Sequence, residues 1–94
     1  MAQKFRDDDA GYRQWLNKHP NGFVLNAQRS PNHGYLMLHR SNCGTISNEP
    51  ANGELWTKDY IKVCAASRAD VSGWLDEQPE LRGASPAECR ICLG

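Results

Sequence analysis

His39 and Cys43 stand four positions apart in "LHRSNCGTI", and Cys89 and Cys92 form a C-x-x-C pair in "AECRICLG". An imidazole nitrogen and a thiolate at H-x3-C spacing can chelate one ion locally. The two sulfurs of a C-x-x-C turn can face the same ion while the turn's backbone N–H groups approach sulfur. Together they give one histidine and three cysteines, the donor set of a closed tetrahedral site for which zinc is the usual metal. Either pair alone is a weak signal, and two chelating pairs in a 94-residue chain are a stronger one.

Other readings of the same residues exist. A C-x-x-C pair can be a redox motif, but this one lacks the strand-to-helix context of the thioredoxin type. Cysteine is also a common buried apolar residue. Cys64, in "YIKVCAAS", opens an all-cysteine alternative made of Cys43, Cys64, Cys89 and Cys92. In that set His39 is a strand-end histidine with ordinary hydrogen bonds. His39 is preferred as the ligand, because H-x3-C gives local chelation and Cys64 has no partner nearby in sequence.

The elements that must position these ligands follow from periodicity. "DAGYRQWLNKHPNG" predicts a helix with Tyr12, Trp15, Leu16 and His19 on one side, capped by Asp8 or Asp9 and closed by Pro20 and Gly22. "GFVLNAQ" reads as a strand, and the turn formers of "RSPNHG" link it as a hairpin to "YLMLH". There Tyr35, Met37 and His39 share one face, and Leu36 and Leu38 the other. Pro50 and Asn52-Gly53 mark an irregular loop. A third strand over Tyr60 to Cys64 places Ile61 and Val63 on one face and Tyr60, Lys62 and Cys64 on the other. "SRADVSGWLDEQP" predicts a second helix, with Ser67 and Asp70 at capping-box spacing, a stripe of Val71, Trp74 and Leu75, and Pro79 as its end. The expected fold is α+β: a small zinc-stabilised domain with an antiparallel hairpin, one further strand and two flanking helices. Residues 1–94 form one domain, with 1–8 expected to be flexible.

Charge and composition narrow the function classes. Eleven basic and eleven acidic residues give no formal net charge, which argues against a strongly cationic DNA-coating protein and leaves room for a local basic patch. "MAQKFRDDDAGYR" has no apolar h-region of a secretory signal, and no stretch approaches the roughly 18 apolar residues of a membrane span. The expected setting is the cytoplasm, where clustered cysteines bind metal more often than they pair as disulfides.

The order of these pieces resembles the N-terminal zinc domain of Ada, the bacterial methylphosphotriester-repair family. The resemblance rests on Trp15, the "GFVLNAQRS" strand, "HRSNC", the "YIKVCAAS" strand and "CRIC", and it spans Tyr12 to Cys92 as an order of elements, with a longer middle segment and low identity outside the ligands. The family implies a zinc-built scaffold that contacts DNA. Its first ligand cysteine is the methyl acceptor, and the matching position here is His39. A zinc-bound imidazole offers no thiolate nucleophile. A site with three thiolates and one histidine also carries a formal charge of only minus one, against minus two for four thiolates. The resemblance therefore implies the scaffold without the repair activity.

Arg40 and Arg90 lie inside the two ligand pairs, as basic residues do in that family, and Arg29 lies at the hairpin turn; these three are the candidate phosphate contacts. Lys58 and Lys62 could extend the patch, or all of these could be solvated charges balanced by Asp59, Glu88 and other acids. Trp15 and Trp74 belong to apolar stripes and are expected in the core, which leaves Trp56 as the aromatic contact candidate. His19 and His33 read as turn residues. The function classes that remain are a zinc-stabilised module touching nucleic acid, a protein-interaction module with zinc as a staple, and, third, a metal-dependent enzyme or zinc-thiolate alkyl acceptor.

Overall fold

A computed structural model describes residues 2–47, 57 and 60–93. The elements run β1 (Gln3–Phe5), α1 (Asp9–Lys18), β2 (Phe23–Gln28), β3 (Leu36–Arg40), the single turn α2 (Gly44–Ser47), β4 (Tyr60–Ala65), α3 (Arg68–Glu77), a 3-10 turn (Pro79–Leu81) and β5 (Ala87–Glu88). They build an α+β domain around one five-stranded sheet in the order β1-β4-β2-β3-β5. The first four strands pair antiparallel, and β5 joins β3 in parallel.

The caps explain the helix ends. The Asp8 carboxylate accepts from Gly11 N at 2.9 Å, which starts α1. The Ser67 hydroxyl accepts from Asp70 N at 3.2 Å, which starts α3. Pro79 follows the Gln78 cap and turns the chain into a 3-10 turn rather than a further helical turn.

Alternation along the strands sorts side chains onto two covered faces. Leu25, Ala27, Leu36, Leu38, Ile61, Val63 and Ala65 form one face, covered by Val71 and Leu75 of α3 and by Leu81. Val24, Cys64 and Phe5 lie on the other, with Tyr12 and Trp15 of α1 and with Cys43, Ile46 and Cys89. Trp15 is thus core, and Trp74 packs at the margin of the α3 face.

Three expectations change. The lead segment expected to be flexible holds strand β1, paired Gln3↔Cys64, Lys4↔Val63 and Phe5↔Lys62, with Phe5 buried. The cause is nonlocal: β4 needs a neighbour on that side, and Phe5 covers its α1 face. The sheet also has five strands rather than the hairpin and one more, because β5 closes the far edge. Lys62, expected on a basic surface, is buried: it shares its face with the exposed Tyr60, but Phe5 of β1, its pairing partner, and α1 close over that face further along β4. The loop around Pro50 and Gly53, Trp56, Lys58 and Asp59 lie outside the described residues.

Candidate metal centre

The hairpin delivers the first pair of ligands. His39 is the penultimate residue of β3, on the α1 face. The chain then leaves the sheet in a turn closed by Cys43 N donating to Arg40 O at 3.0 Å, and the Cys43 carbonyl accepts from Ile46 N at 3.2 Å as α2 begins. The Tyr12 hydroxyl donates to Ile46 O at 2.7 Å and ties this knuckle to α1. Gly22 sits beneath it. A Cβ there would lie 2.7 Å from the Trp15 ring and 3.0 Å from both Ala65 O and the Ser41 hydroxyl, so only glycine lets α1, β4 and the knuckle approach this closely.

The second pair is delivered by β5. Cys89 N donates to Leu38 O at 2.9 Å, continuing the parallel ladder, and Leu93 N donates to Cys89 O at 2.8 Å, closing the C-x-x-C turn. Arg40 stitches the two knuckles together: its backbone N–H meets Cys92 Sγ at 3.2 Å, and its Nε–H donates to Cys92 O at 3.1 Å.

The result is one cluster. The ligand atoms of His39, Cys43, Cys89 and Cys92 all lie within 4.8 Å of one another, and these residues could hold a metal ion. Cys43 Sγ and Cys89 Sγ are 3.9 Å apart. A disulfide needs about 2.05 Å, whereas two sulfurs at tetrahedral corners around an ion with bonds of about 2.3 Å are about 3.8 Å apart. The thiols are therefore spaced as ligands and not as a bridge.

Cys64 stands outside this cluster. Val24 of β2 pairs with His39 on one side and with Cys64 on the other, so the whole of β2 separates them. Two strand spacings put the two Cα atoms roughly 10 Å apart. The all-cysteine alternative thus has no geometric support. Burial pushes the Cys64 thiol far above its usual range, against a smaller opposing pull from Lys62.

The electrostatics suit a cation. Burial, and then the charge of Lys62, holds the His39 imidazole below its usual range, in the neutral form that can ligate. Burial opposes ionisation of Cys89, but hydrogen bonds from the Cys92 and Ile91 amides and from the Cys92 and Cys43 thiols outweigh it, so that thiol is held low. Burial raises Cys92 to about 11; the Arg40 amide pulls it down, and the neighbouring Cys43 and Cys89 push it up again. Three crowded thiols compete for negative charge here, and a divalent cation among them would remove that competition.

The arginines do not form one patch. Arg40 and the exposed Arg90 belong to the two knuckles. Arg29 lies six positions along β2 from Phe23, the partner of Arg40, which is about 20 Å away at strand rise. There it is engaged by Asp7, Nη1–Oδ1 2.8 Å and Nη2–Oδ2 2.5 Å. The hairpin loop and the knuckles are simply opposite ends of the sheet, so Arg29 does not join the other two. Lys62 drops out as well. Its Nζ donates to Asn26 Oδ1 at 2.7 Å and lies 5.6 Å from the Tyr60 ring centroid. His19 caps α1 and stacks on Trp15 at 4.3 Å, and His33 is exposed in the hairpin turn.

The sequence reading passed over Arg68 and Ile91. Arg68 opens α3 and lies with its guanidinium carbon 5.5 Å from the Phe23 ring centroid, a juxtaposition that only the β2–β4 pairing creates. Ile91 was readable: a C-x-x-C turn that converges its two sulfurs leaves the residues between them facing outward. No helix among the described residues is long and apolar enough to cross a membrane. Compared with known protein families, with curated proteins and with solved structures, the chain matches none.

Proposed function

We propose that this chain is a zinc-stabilised, non-catalytic binding module whose knuckle end contacts nucleic-acid backbone. One observation carries the reading: His39, Cys43, Cys89 and Cys92 converge within 4.8 Å, and the convergence brings Arg40 onto the C-x-x-C turn beside Arg90. Zinc suits a donor set of three thiolates and one imidazole. Four protein ligands leave no open coordination position for a substrate or an activated water. His39 also occupies the place where the Ada-like pattern needs its acceptor thiolate. Kinship with that zinc domain is part of the proposal, and so is the absence of methyl transfer.

The ligands act as a staple. They hold β5 against β3 and fix Arg40 and Arg90 on short turns, so little backbone ordering remains before a phosphate is met. Such contacts give affinity without sequence preference.

The test has two steps. Native mass spectrometry with metal analysis should find one zinc per chain; a folded, reduced, metal-free protein would sink the metal reading. Duplex DNA should then bind in a salt-dependent way, and replacing Arg40 and Arg90 together by alanine should flatten the salt slope by about two units. Absence of binding at low salt would leave the protein-interaction module, with zinc as a staple, as the better account.

A further inference from the structure

The C-x-x-C turn supplies more than two sulfurs. Its middle residues are Arg90 and Ile91, both exposed, and Ile91 presents 75% of its surface. A single exposed isoleucine is ordinary on a protein surface, but this one sits on a turn fixed from two directions. Leu93 N closes the turn on Cys89 O, and the Arg40 backbone and guanidinium both bond to Cys92.

Cations flank the tip. Arg40 lies over the Phe23 ring at 5.8 Å from its centroid, and Arg68 lies over the same ring at 5.5 Å. Arg68 also pairs with Glu88, the residue before Cys89. A continuous line of contacts therefore runs from Arg68 across Phe23 and Arg40 to Cys92, next to Arg90 and Ile91. Among the described residues this line carries Arg40, Arg68 and Arg90, and the carboxylate on it is Glu88, paired with Arg68.

We propose that Ile91 is an apolar wedge that enters a groove of duplex DNA, while Arg40, Arg68 and Arg90 hold the flanking phosphates. The inference rests on the nucleic-acid reading above and specifies its ligand and contacts. Proteins that grip the minor groove combine cations with an aliphatic or aromatic side chain pressed between base steps. A rigid tip suits that task, because insertion costs unstacking energy that a yielding turn would return by moving. Guanidinium groups already resting on a ring lose less freedom when they meet phosphate. A protein partner would call for a wider apolar surface, on the order of 800 Å² per side. Among the described residues the exposed large hydrophobic side chains are Ile91 and Tyr60, and Tyr60 pairs with Gln28 at the far end of β2.

The experiment uses the full metal-loaded chain and a fluorescent duplex of about 20 base pairs, long enough for a wedge and its flanking phosphates. Anisotropy across a salt series is read for the wild type, Ile91→Ser, Arg68→Ala and Arg29→Ala, with end-to-end energy transfer reporting bending and metal content checked for each. Ile91→Ser should weaken duplex binding on the order of tenfold and abolish bending, as expected for loss of a wedge, while keeping the salt slope. Arg68→Ala should flatten the slope by about one unit, and Arg29→Ala should match the wild type. If Ile91→Ser binds and bends the duplex like the wild type, or if a single strand of the same sequence binds more tightly than the duplex, the wedge is wrong and the backbone reading survives. If Arg68→Ala keeps the full slope, Arg68 is not a phosphate contact. If the wild type does not bind duplex at low salt, both readings fall.

Discussion

Stripping the metal should destabilise this domain by at least about 4 kcal/mol, with the loss starting at one end of the sheet. The ion would link Cys43 to Cys89 across a separation of 46 positions. Closing a loop of that length restricts the unfolded chain by about 4 kcal/mol in the chain-entropy account of cross-links. A domain of 94 residues has a total stability of about 5–14 kcal/mol, so this is a large share of it. At about 4–8 °C of melting temperature per kcal/mol for this size, the midpoint should fall by at least about 16 °C. The buried cluster under α3 contains none of the four ligands. Early loss should therefore concentrate on the Cys89 and Leu93 amides and on the Arg40 amide that faces Cys92. The assay is thermal melting under reducing conditions with and without a strong chelator, joined to amide exchange. A verified metal-free sample that melts within about 4 °C of the untreated protein, equivalent to about 1 kcal/mol or less, would refute the claim that the ligands staple the fold.

Further outcomes can be checked with single variants. Cys43→Ser, Cys89→Ser, Cys92→Ser and His39→Ala should each lose the metal by native mass spectrometry, while Cys64→Ser keeps it; the reverse pattern for His39 and Cys64 would restore the all-cysteine set. Tyr12→Phe removes the hydrogen bond to Ile46 O and leaves that carbonyl without the buried hydroxyl, so urea unfolding should show a loss of about 1–3 kcal/mol. Burial lowers Lys62 to about 8 from 10.5, opposed by Asp9 on α1 and by Cys64, with Tyr60 and Tyr35 beside it and His39 within its field. Between those two values the unfolded chain binds the proton more strongly than the native one. Stability should therefore rise from pH 8 to 10.5 and lose this benefit as pH falls through 8. Lys62→Met should remove the rise, and an unchanged pH profile in that variant would count against it.

Local chemistry made much of this molecule readable from its sequence. Tyr12 and Trp15 at helical spacing, with Asp8 ahead of them, determine both the existence and the buried side of α1. The hairpin alternation places His39 on the face of the cluster and Leu38 in the core, and H-x3-C with C-x-x-C points to the four residues that converge without help from the fold. The unreadable parts depend on distant partners. Gln3–Phe5 is too short and polar to signal a strand, and it becomes one only beside β4. Ala87–Glu88 is a strand only because Cys89 is drawn to Leu38 and the hairpin ligands. A lysine in alternating register is normally solvated, and the burial of Lys62 follows from the way α1 and β1 close over it. Arg29 lies at the opposite end of the sheet from Arg40 and Arg90, a separation set by topology that residue type cannot express.

The parallel pairing of β5 with β3 has one more consequence. β3 carries Leu36, Met37 and Leu38, and β5 covers its outer backbone only at Met37 and Leu38. A strand of that composition with unsatisfied amides and carbonyls is a template on which another chain can build. The opposite margin of the sheet is β1, where Lys4 and the neighbouring Arg6 discourage such addition. An ion held by the four candidate ligands would therefore guard against polymerisation as well as unfolding. In its absence the growing face of an aggregate would be β3, and solutions kept free of chelator and oxidant should stay clear for the same reason that the domain stays folded.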